Sequence, residues 1–448
     1  MSFPTATFLF AFLPITLFVY LALLPRFRNL WLLITSLLFY ALGDPSHLPL
    51  LLLTAVLQYA TALLMAKFPK YKRLFLILAV VCNLWLLFYY KYAAFAFSLF
   101  GVMIEAPALP IGISFYTFQA ISYTVDVYRG EVVPEKKLTL FLTYLSLFPQ
   151  LVAGPIVRYS EIDSALKTRS FSVSQFASGA YLFAVGLCKK LVIADTLAPL
   201  SSAFLENSPT LLSAWLSAIA FTLQIYFDFS GYSDMARGLG KLFSFEFPEN
   251  FRYPYAARSI TEFWRRWHIT LSSFFKSYVY IPLGGNRRGK WRTYFNLLAV
   301  WLLTGLWHGA DFTFLSWGLL YAVLLIFEKA TRLKLPPVVG NLYTMLFVTV
   351  GFVLFRAPTL TDAFRQLAAM VGIRVPLYDG MSLSLLSDYA VFLLLSAALA
   401  TPLVKRLSRR TSLSCITLAR AVATPCLLFL SLFFLVGASS HPFLYFRF

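Results

Sequence analysis

The chain has 448 residues, of which 59% are hydrophobic, 18% aromatic and only 13% charged, and its mean hydropathy is +0.74. A water-soluble globule cannot cover that much apolar surface, so soluble classes are excluded and residues 1–448 read as a single all-α polytopic membrane domain. The net charge of +19 sits in short loops beside apolar runs, where Lys and Arg set topology. With no soluble basic domain to carry it, nucleic-acid binding is not expected. The same charge would attract an acidic cytosolic substrate or anionic lipid headgroups.

In chain order, runs long enough or nearly long enough to cross a bilayer fall at 5–24, 29–43, 47–66, 74–93, 108–125, 138–157, 176–199, 211–229, 293–308, 312–330, 339–356, 387–404 and 418–438. The first is followed rather than preceded by Arg26 and Arg28 and has no small-residue cleavage site, so it reads as a retained span with its N-terminus outside. Arg26 and Arg28, then Lys67, Lys70, Lys72 and Arg73, mark cytosolic loops, with Gly43-Asp44-Pro45 as the outer turn between them. These N-terminal helices occupy 1–106, and a C-terminal set occupies 331–448. Between them, Pro107, Pro110 and Gly112, then Pro149, Gly154 and Pro155, interrupt apolar segments. Non-helical backbone at membrane depth survives only when buried in protein or lining a wet cavity. The two clusters together predict re-entrant segments around a central tunnel, against the alternative of proline kinks satisfied by neighbouring helices.

From 235 to 293 the sequence is too polar for a span yet rich in aromatics and in Arg and Lys, as expected of an interfacial, cytosolic segment. Ser259 followed by Glu262 makes a capping box. Beyond it Ile260, Phe263, Trp264, Trp267, Leu271, Phe274, Phe275 and Tyr278 recur at helical spacing, which predicts a helix lying in the headgroup plane. Arg265 and Lys276 flank its apolar face and His268 lies at the boundary, so the helix reads either as a plain anchor or as part of a site. His308, at the end of an apolar run and bracketed by Gly305 and Gly309, is a functional candidate because ionisable groups at membrane depth are expensive. Asp228, in Phe227-Asp228-Phe229-Ser230-Gly231-Tyr232-Ser233-Asp234, reads as an orienter of a histidine, a substrate contact, or one half of an ion pair to an interfacial Arg. Nothing marks out His47 or His441. Cys82, Cys188, Cys415 and Cys426 have no metal-ligand spacing, so no metal site and no disulfide framework is indicated. A GxSxG elbow, HExxH, a Walker A loop and a dinucleotide fingerprint are all absent, which weighs against the corresponding hydrolases, proteases and pumps.

Three runs occur in order: Phe263-Trp264-Arg265-Arg266-Trp267-His268-Ile269-Thr270-Leu271-Ser272, Tyr280-Ile281-Pro282-Leu283-Gly284-Gly285-Asn286-Arg287 and Gly305-Leu306-Trp307-His308-Gly309-Ala310. With Pro110–Gln119 and Phe148–Pro155 they resemble the membrane-bound O-acyltransferases, on the bacterial branch that acetylates alginate, cellulose and peptidoglycan; the D-alanyl transfer protein of teichoic acids is a cousin. The resemblance covers roughly 107–330, which it marks as a catalytic core containing the 235–293 segment. It implies a helical bundle with re-entrant and interfacial helices around a tunnel. The implied activity is transfer of an acyl group from a cytosolic thioester to a hydroxyl, often relayed to an extracytoplasmic partner.

By that resemblance His308 is the family's membrane-embedded histidine and His268 the second histidine of the branch. A base of near-neutral pKa suits an attacking hydroxyl, so His308 is expected to act as general base and His268 to position substrate or support proton transfer. Arg265, Arg266 and Lys276 would attract either the phosphates of acetyl-CoA or lipid headgroups. Together with Trp307, Asp228 and Asn286 they are the expected substrate-binding residues. The implied donor is acetyl-CoA, with no bound cofactor. The implied partners are an extracytoplasmic acyltransferase or acceptor protein, a polysaccharide acceptor and membrane lipids, and the implied location is a bacterial inner membrane. D-alanyl transfer from a carrier protein, transport of an acyl donor or lipid-linked glycan without chemistry, and a non-catalytic scaffold remain the alternatives.

Overall fold

Backbone groups in hydrocarbon must be satisfied within their own segment, so long apolar runs become helices. The computed structural model, which describes residues 2–206, 209–408, 411–437 and 443–444, is all-helical, with no strand among those residues. His441 lies outside them. Among the described residues, eight helices are long and apolar enough to cross a membrane: Pro45–Lys67, Pro69–Ser98, Val173–Phe204, Leu211–Leu242, Phe312–Thr331, Pro337–Arg356, Gly380–Leu399 and Ser414–Val436.

Several expected segments differ. The run at 138–157 is not one span: it divides into Leu138–Ser146 and Phe148–Leu151, with Leu147 out of helical conformation (ψ 110°) ahead of Pro149. The run expected at 108–125 begins its helix only at Ile113, because Gly112 adopts φ 74° and Pro110 stands just before it. The run expected to end at 229 continues as a single 32-residue helix to Leu242, so the non-spanning stretch begins after 242 rather than at 235. Lys290–His308 forms the helix expected there but is not among the eight apolar spans.

The fold divides into two compact units, Met1–Gly186 with Tyr232–Glu249, and Leu187–Gly231 with Asn250–Phe448. In the first unit the two interrupted stretches meet. A Cβ at Gly112 would lie 2.5 Å from the Leu151 carbonyl oxygen, so the turn at 112 seats directly on the backbone at 151. That second stretch is itself buried from Leu147 to Val157, and the Phe148 N–H donates to Ser36 Oγ at 3.1 Å. Here the broken backbone is satisfied by being enclosed in protein, one of the two ways such backbone survives at depth.

The core of the second unit is aromatic. Trp264, Trp301, Trp317 and Tyr321 form mutually packed pairs with ring centroids 4.4–6.1 Å apart. Tyr226, Tyr255, Phe263 and Trp267 extend the cluster. Rings of this size each bury a large apolar area, and edge-to-face geometry adds about 0.5–1.5 kcal/mol per pair.

Candidate active site

All of the candidate chemistry described below lies in the second unit. The Lys290–His308 helix is followed by Phe312–Thr331, whose N-cap Asp311 accepts the Thr313 N–H at 2.8 Å. The two helices cross backbone to backbone: a Cβ at Gly305 would lie 2.4 Å from the Phe314 carbonyl oxygen, and one at Gly318 would lie 2.4 Å from that of Trp301. Only glycine permits that approach. It sets the height of His308, the last helical residue, which is 4% exposed. Its imidazole is enclosed by rings, edge-on to Trp307 at 4.9 Å, Trp317 at 5.0 Å and Phe355 at 5.2 Å. Gly309 leaves no room for a side chain either, since a Cβ there would lie 2.1 Å from the Phe314 ring.

His268 is reached differently. The continuous helix expected from Ile260 to Tyr278 is broken into Ile260–Trp264 and Ile269–Phe275, with His268 itself in the left-handed region at φ 44°. Its apolar residues Ile260, Phe263, Trp264, Trp267, Leu271, Phe274 and Phe275 are all buried in protein. The segment is therefore a packed element of the fold, and the expectation of a helix lying in the headgroup plane is corrected. Ser259 does cap the first piece, accepting the Glu262 N–H at 3.0 Å, while Glu262 reaches back to the N–H of Arg258.

A left-handed residue without glycine needs support from its surroundings. Asn250 supplies it. The Asn250 backbone carbonyl accepts the Ile269 N–H at 3.0 Å. Its side-chain Oδ1 accepts the Thr270 N–H at 3.2 Å and the Thr270 hydroxyl at 2.9 Å. Because a backbone N–H can only donate, the amide atom facing it is the oxygen. His268 Nδ1, 3.1 Å from the same oxygen, therefore carries its proton, and Nε2 is the ring's basic nitrogen. Phe229 packs edge-on to the ring at 4.7 Å and Trp307 at 6.0 Å, so Trp307 touches both histidines. Full burial lowers the His268 pKa from 6.5 to about 3, which keeps the ring neutral through the physiological range.

Asp228, beside Phe229 on the long helix, is fully buried, and its carboxylate goes to Lys190 Nζ at 2.7 Å and to the Leu444 N–H at 3.0 Å. Lys190 also pairs with Asp195 at 2.7 Å. The ion-pair partner is thus a lysine from another span, where the sequence suggested an interfacial Arg. In the first unit Asp234 pairs with Arg237 at 3.5 Å.

The remaining expected binding residues have surroundings of their own. Arg265 and Lys276 are exposed, Arg266 pairs with Glu262 on its own helical turn, and exposed Asn286 accepts from Tyr280 and from Lys329. Sequence reasoning missed Asn250, Lys190, Trp317 and Phe355. Nothing in Glu249-Asn250-Phe251 signals a role. Trp317 lies nine residues beyond His308 on the next helix, past the turn at Gly309, and no spacing in the sequence marks it.

The family model for MBOAT, the membrane-bound O-acyltransferase family, matches residues 135–356. The probable alginate O-acetylase AlgI of Pseudomonas aeruginosa is 44% identical over 388 residues, covering 83% of this chain and 75% of that protein. The peptidoglycan O-acetyltransferase of Helicobacter pylori is 36% identical over 488 aligned positions, covering 98% of this chain and 90% of that protein. The teichoic acid D-alanyltransferase of Bacillus subtilis is 26% identical over 273 residues, covering 55% of this chain and 68% of that protein. With both histidines set in the matched region, the chain belongs to the membrane-bound O-acyltransferase family and is a multi-pass membrane O-acyltransferase.

Proposed function

We propose that this enzyme moves an acetyl group from cytosolic acetyl-CoA to a hydroxyl of an extracytoplasmic polysaccharide, directly or through a partner acyltransferase or acceptor protein outside a bacterial inner membrane. The observation that carries the chemistry is His308, a buried imidazole at a helix end, enclosed by aromatic rings and fixed by a glycine crossing. The acceptor hydroxyl gives its proton to His308 as its oxygen attacks the thioester carbonyl carbon. When the tetrahedral intermediate collapses the C–S bond breaks, the imidazolium returns the proton to the thiolate, and an ester and free thiol leave.

His268 has the opposite character. A ring held neutral, with a pKa of about 3, is a poor base near pH 7, and suits substrate positioning through Nε2. Trp317, packed against His308, has its indole N–H buried without a hydrogen-bond partner among the described residues, which makes it a donor for the carbonyl oxygen as charge develops there. Exposed Arg265 and Lys276 would attract the donor's phosphates, and the same side chains suit lipid headgroups. Acetyl is favoured over D-alanyl because the acetylating relatives match at 44% and 36% identity, over more of the chain, against 26% for the D-alanyltransferase.

The test is transfer of labelled acetyl from acetyl-CoA by purified protein in lipid, with candidate acceptor or partner present. Wild type, His308→Ala and His268→Ala are compared. Transfer should vanish in the first variant and weaken in the second. Dependence on a D-alanyl carrier protein with no use of acetyl-CoA would overturn the acetyl reading while leaving His308 as the base.

A further inference from the structure

In the first unit, four cationic side chains from two distant stretches converge on one cavity. Arg26 and Arg28 lie in the first turn of the Pro25–Ala41 helix, and Lys167 and Arg169 lie at and just beyond the end of Tyr159–Lys167. With Asn29 and Thr168 they line a cavity of about 610 Å³. Lys167 is answered by Asp163 at 2.6 Å. Among the described residues no carboxylate pairs with Arg26, Arg28 or Arg169.

Arg169 is built into place. Its Nε donates to the Tyr20 hydroxyl at 2.9 Å, and one terminal nitrogen donates to Asn29 Oδ1 at 2.7 Å and to the Ala165 carbonyl at 3.0 Å. The guanidinium lies over the Phe245 ring at 4.5 Å. Its other terminal nitrogen is buried and has no hydrogen-bond partner among the described residues. Burial lowers the Arg169 pKa, the Tyr20 hydroxyl works in the opposite sense, and the neighbouring Arg28 charge lowers it further. Two guanidiniums near enough to disfavour one another, with no acid between them, are stable only at a cost that an anion removes.

Topology requires only that cytosolic loops be positive. It does not require residues 26–28 to be tied to residue 169, as Asn29 ties them, nor one guanidinium to be clamped with a donor to spare. Planar N–H forks match phosphate oxygens in number and direction, which single ammonium charges do not. We propose that this cavity is a phosphate-binding site, formed by Arg26, Arg28 and Arg169 and separate from the residues assigned to acyl transfer. The phosphate belongs either to the headgroup of an anionic phospholipid or to a soluble phosphate compound.

The experiment measures thermal unfolding of the full chain in detergent with added phosphatidylglycerol, phosphatidylcholine or inorganic phosphate, against sodium chloride at matched ionic strength. Wild type is compared with the Arg26→Gln/Arg28→Gln double variant. A ligand that binds only the folded state raises the midpoint. Phosphatidylglycerol alone should raise it in the wild type and not in the variant if the source is lipid; inorganic phosphate should do so too if the source is soluble. Native mass spectrometry of the wild type, asking whether phosphatidylglycerol is retained over phosphatidylcholine, tests the lipid source without any substitution. No shift with any phosphate, or equal shifts in wild type and variant, overturns the proposal.

Discussion

The two histidines are held by opposite means. His308 is placed by packing: a helix that can approach its neighbour only because Gly305 and Gly318 lack side chains, then three rings around the imidazole. His268 is placed by polar bonds, in a backbone conformation that residues with side chains seldom adopt, with one amide oxygen fixing its ring and the start of the next helix together. On the roles proposed above, the difference teaches that a proton acceptor and a positioning group would make different demands on a scaffold. The first needs a rigid wall with a polarisable face. The second needs a tautomer, and a tautomer is set by a hydrogen bond.

The largest expected effect comes from removing the packed member. His308→Ala should cut acyl transfer by about a hundred- to ten-thousand-fold, with membrane insertion unchanged, as read by labelled-acetyl turnover. Next is the ion pair between Lys190 and Asp228. Lys190→Met leaves Asp228 buried without its charged partner, at a cost of about 3–5 kcal/mol in unfolding free energy, and the Lys190→Met/Asp228→Leu pair should recover part of it. Asn250→Ala should lower turnover by up to about a hundredfold while leaving KM nearly unchanged, since it loosens the geometry of His268 without removing the ring. If KM rises and kcat holds, His268 serves substrate affinity and not the reacting geometry. Gly305→Ala forces two backbones apart and should destabilise by about 1–3 kcal/mol, with turnover falling in step as His308 shifts.

The last expectation concerns pH. The folded pKa of His268, about 3, lies below the unfolded value of 6.5, so the unfolded chain binds the proton first. The stability that burial of the neutral ring supplies is complete above pH 6.5 and is lost as pH falls toward 3. His268→Gln should flatten that part of the stability curve. An unchanged slope in the variant would show that other groups govern acid sensitivity.

Both histidines and the membrane class were legible in the sequence, because an ionisable ring in an apolar run is conspicuous and because the flanking motifs resemble a known family. The break in the helix at His268 was not. Ile260, Phe263, Trp267 and Leu271 keep nearly helical spacing across it, so periodicity runs straight through a turn imposed by tertiary bonds from residue 250. Lys190 was hidden for a similar reason. Lys189 and Lys190 fall inside the run 176–199, whose apolar length alone was read, yet Lys190 is buried against two carboxylates, and charge pairing at a distance leaves no periodic trace. The span expected at 138–157 failed because composition cannot tell a crossing helix from enclosed, broken backbone of equal apolarity.

The glycine crossing also bears on how the chain enters its membrane. Lys290–His308 is not apolar enough to rank among the eight spans, whereas Phe312–Thr331 is. With three residues connecting one helix to the next and a close backbone seam between them, the pair suits joint insertion as a helical hairpin, the apolar arm carrying the weaker one into the bilayer. His308, at the bend of that hairpin, would then be delivered by its partner helix, so that biogenesis and catalysis depend on the same two glycines.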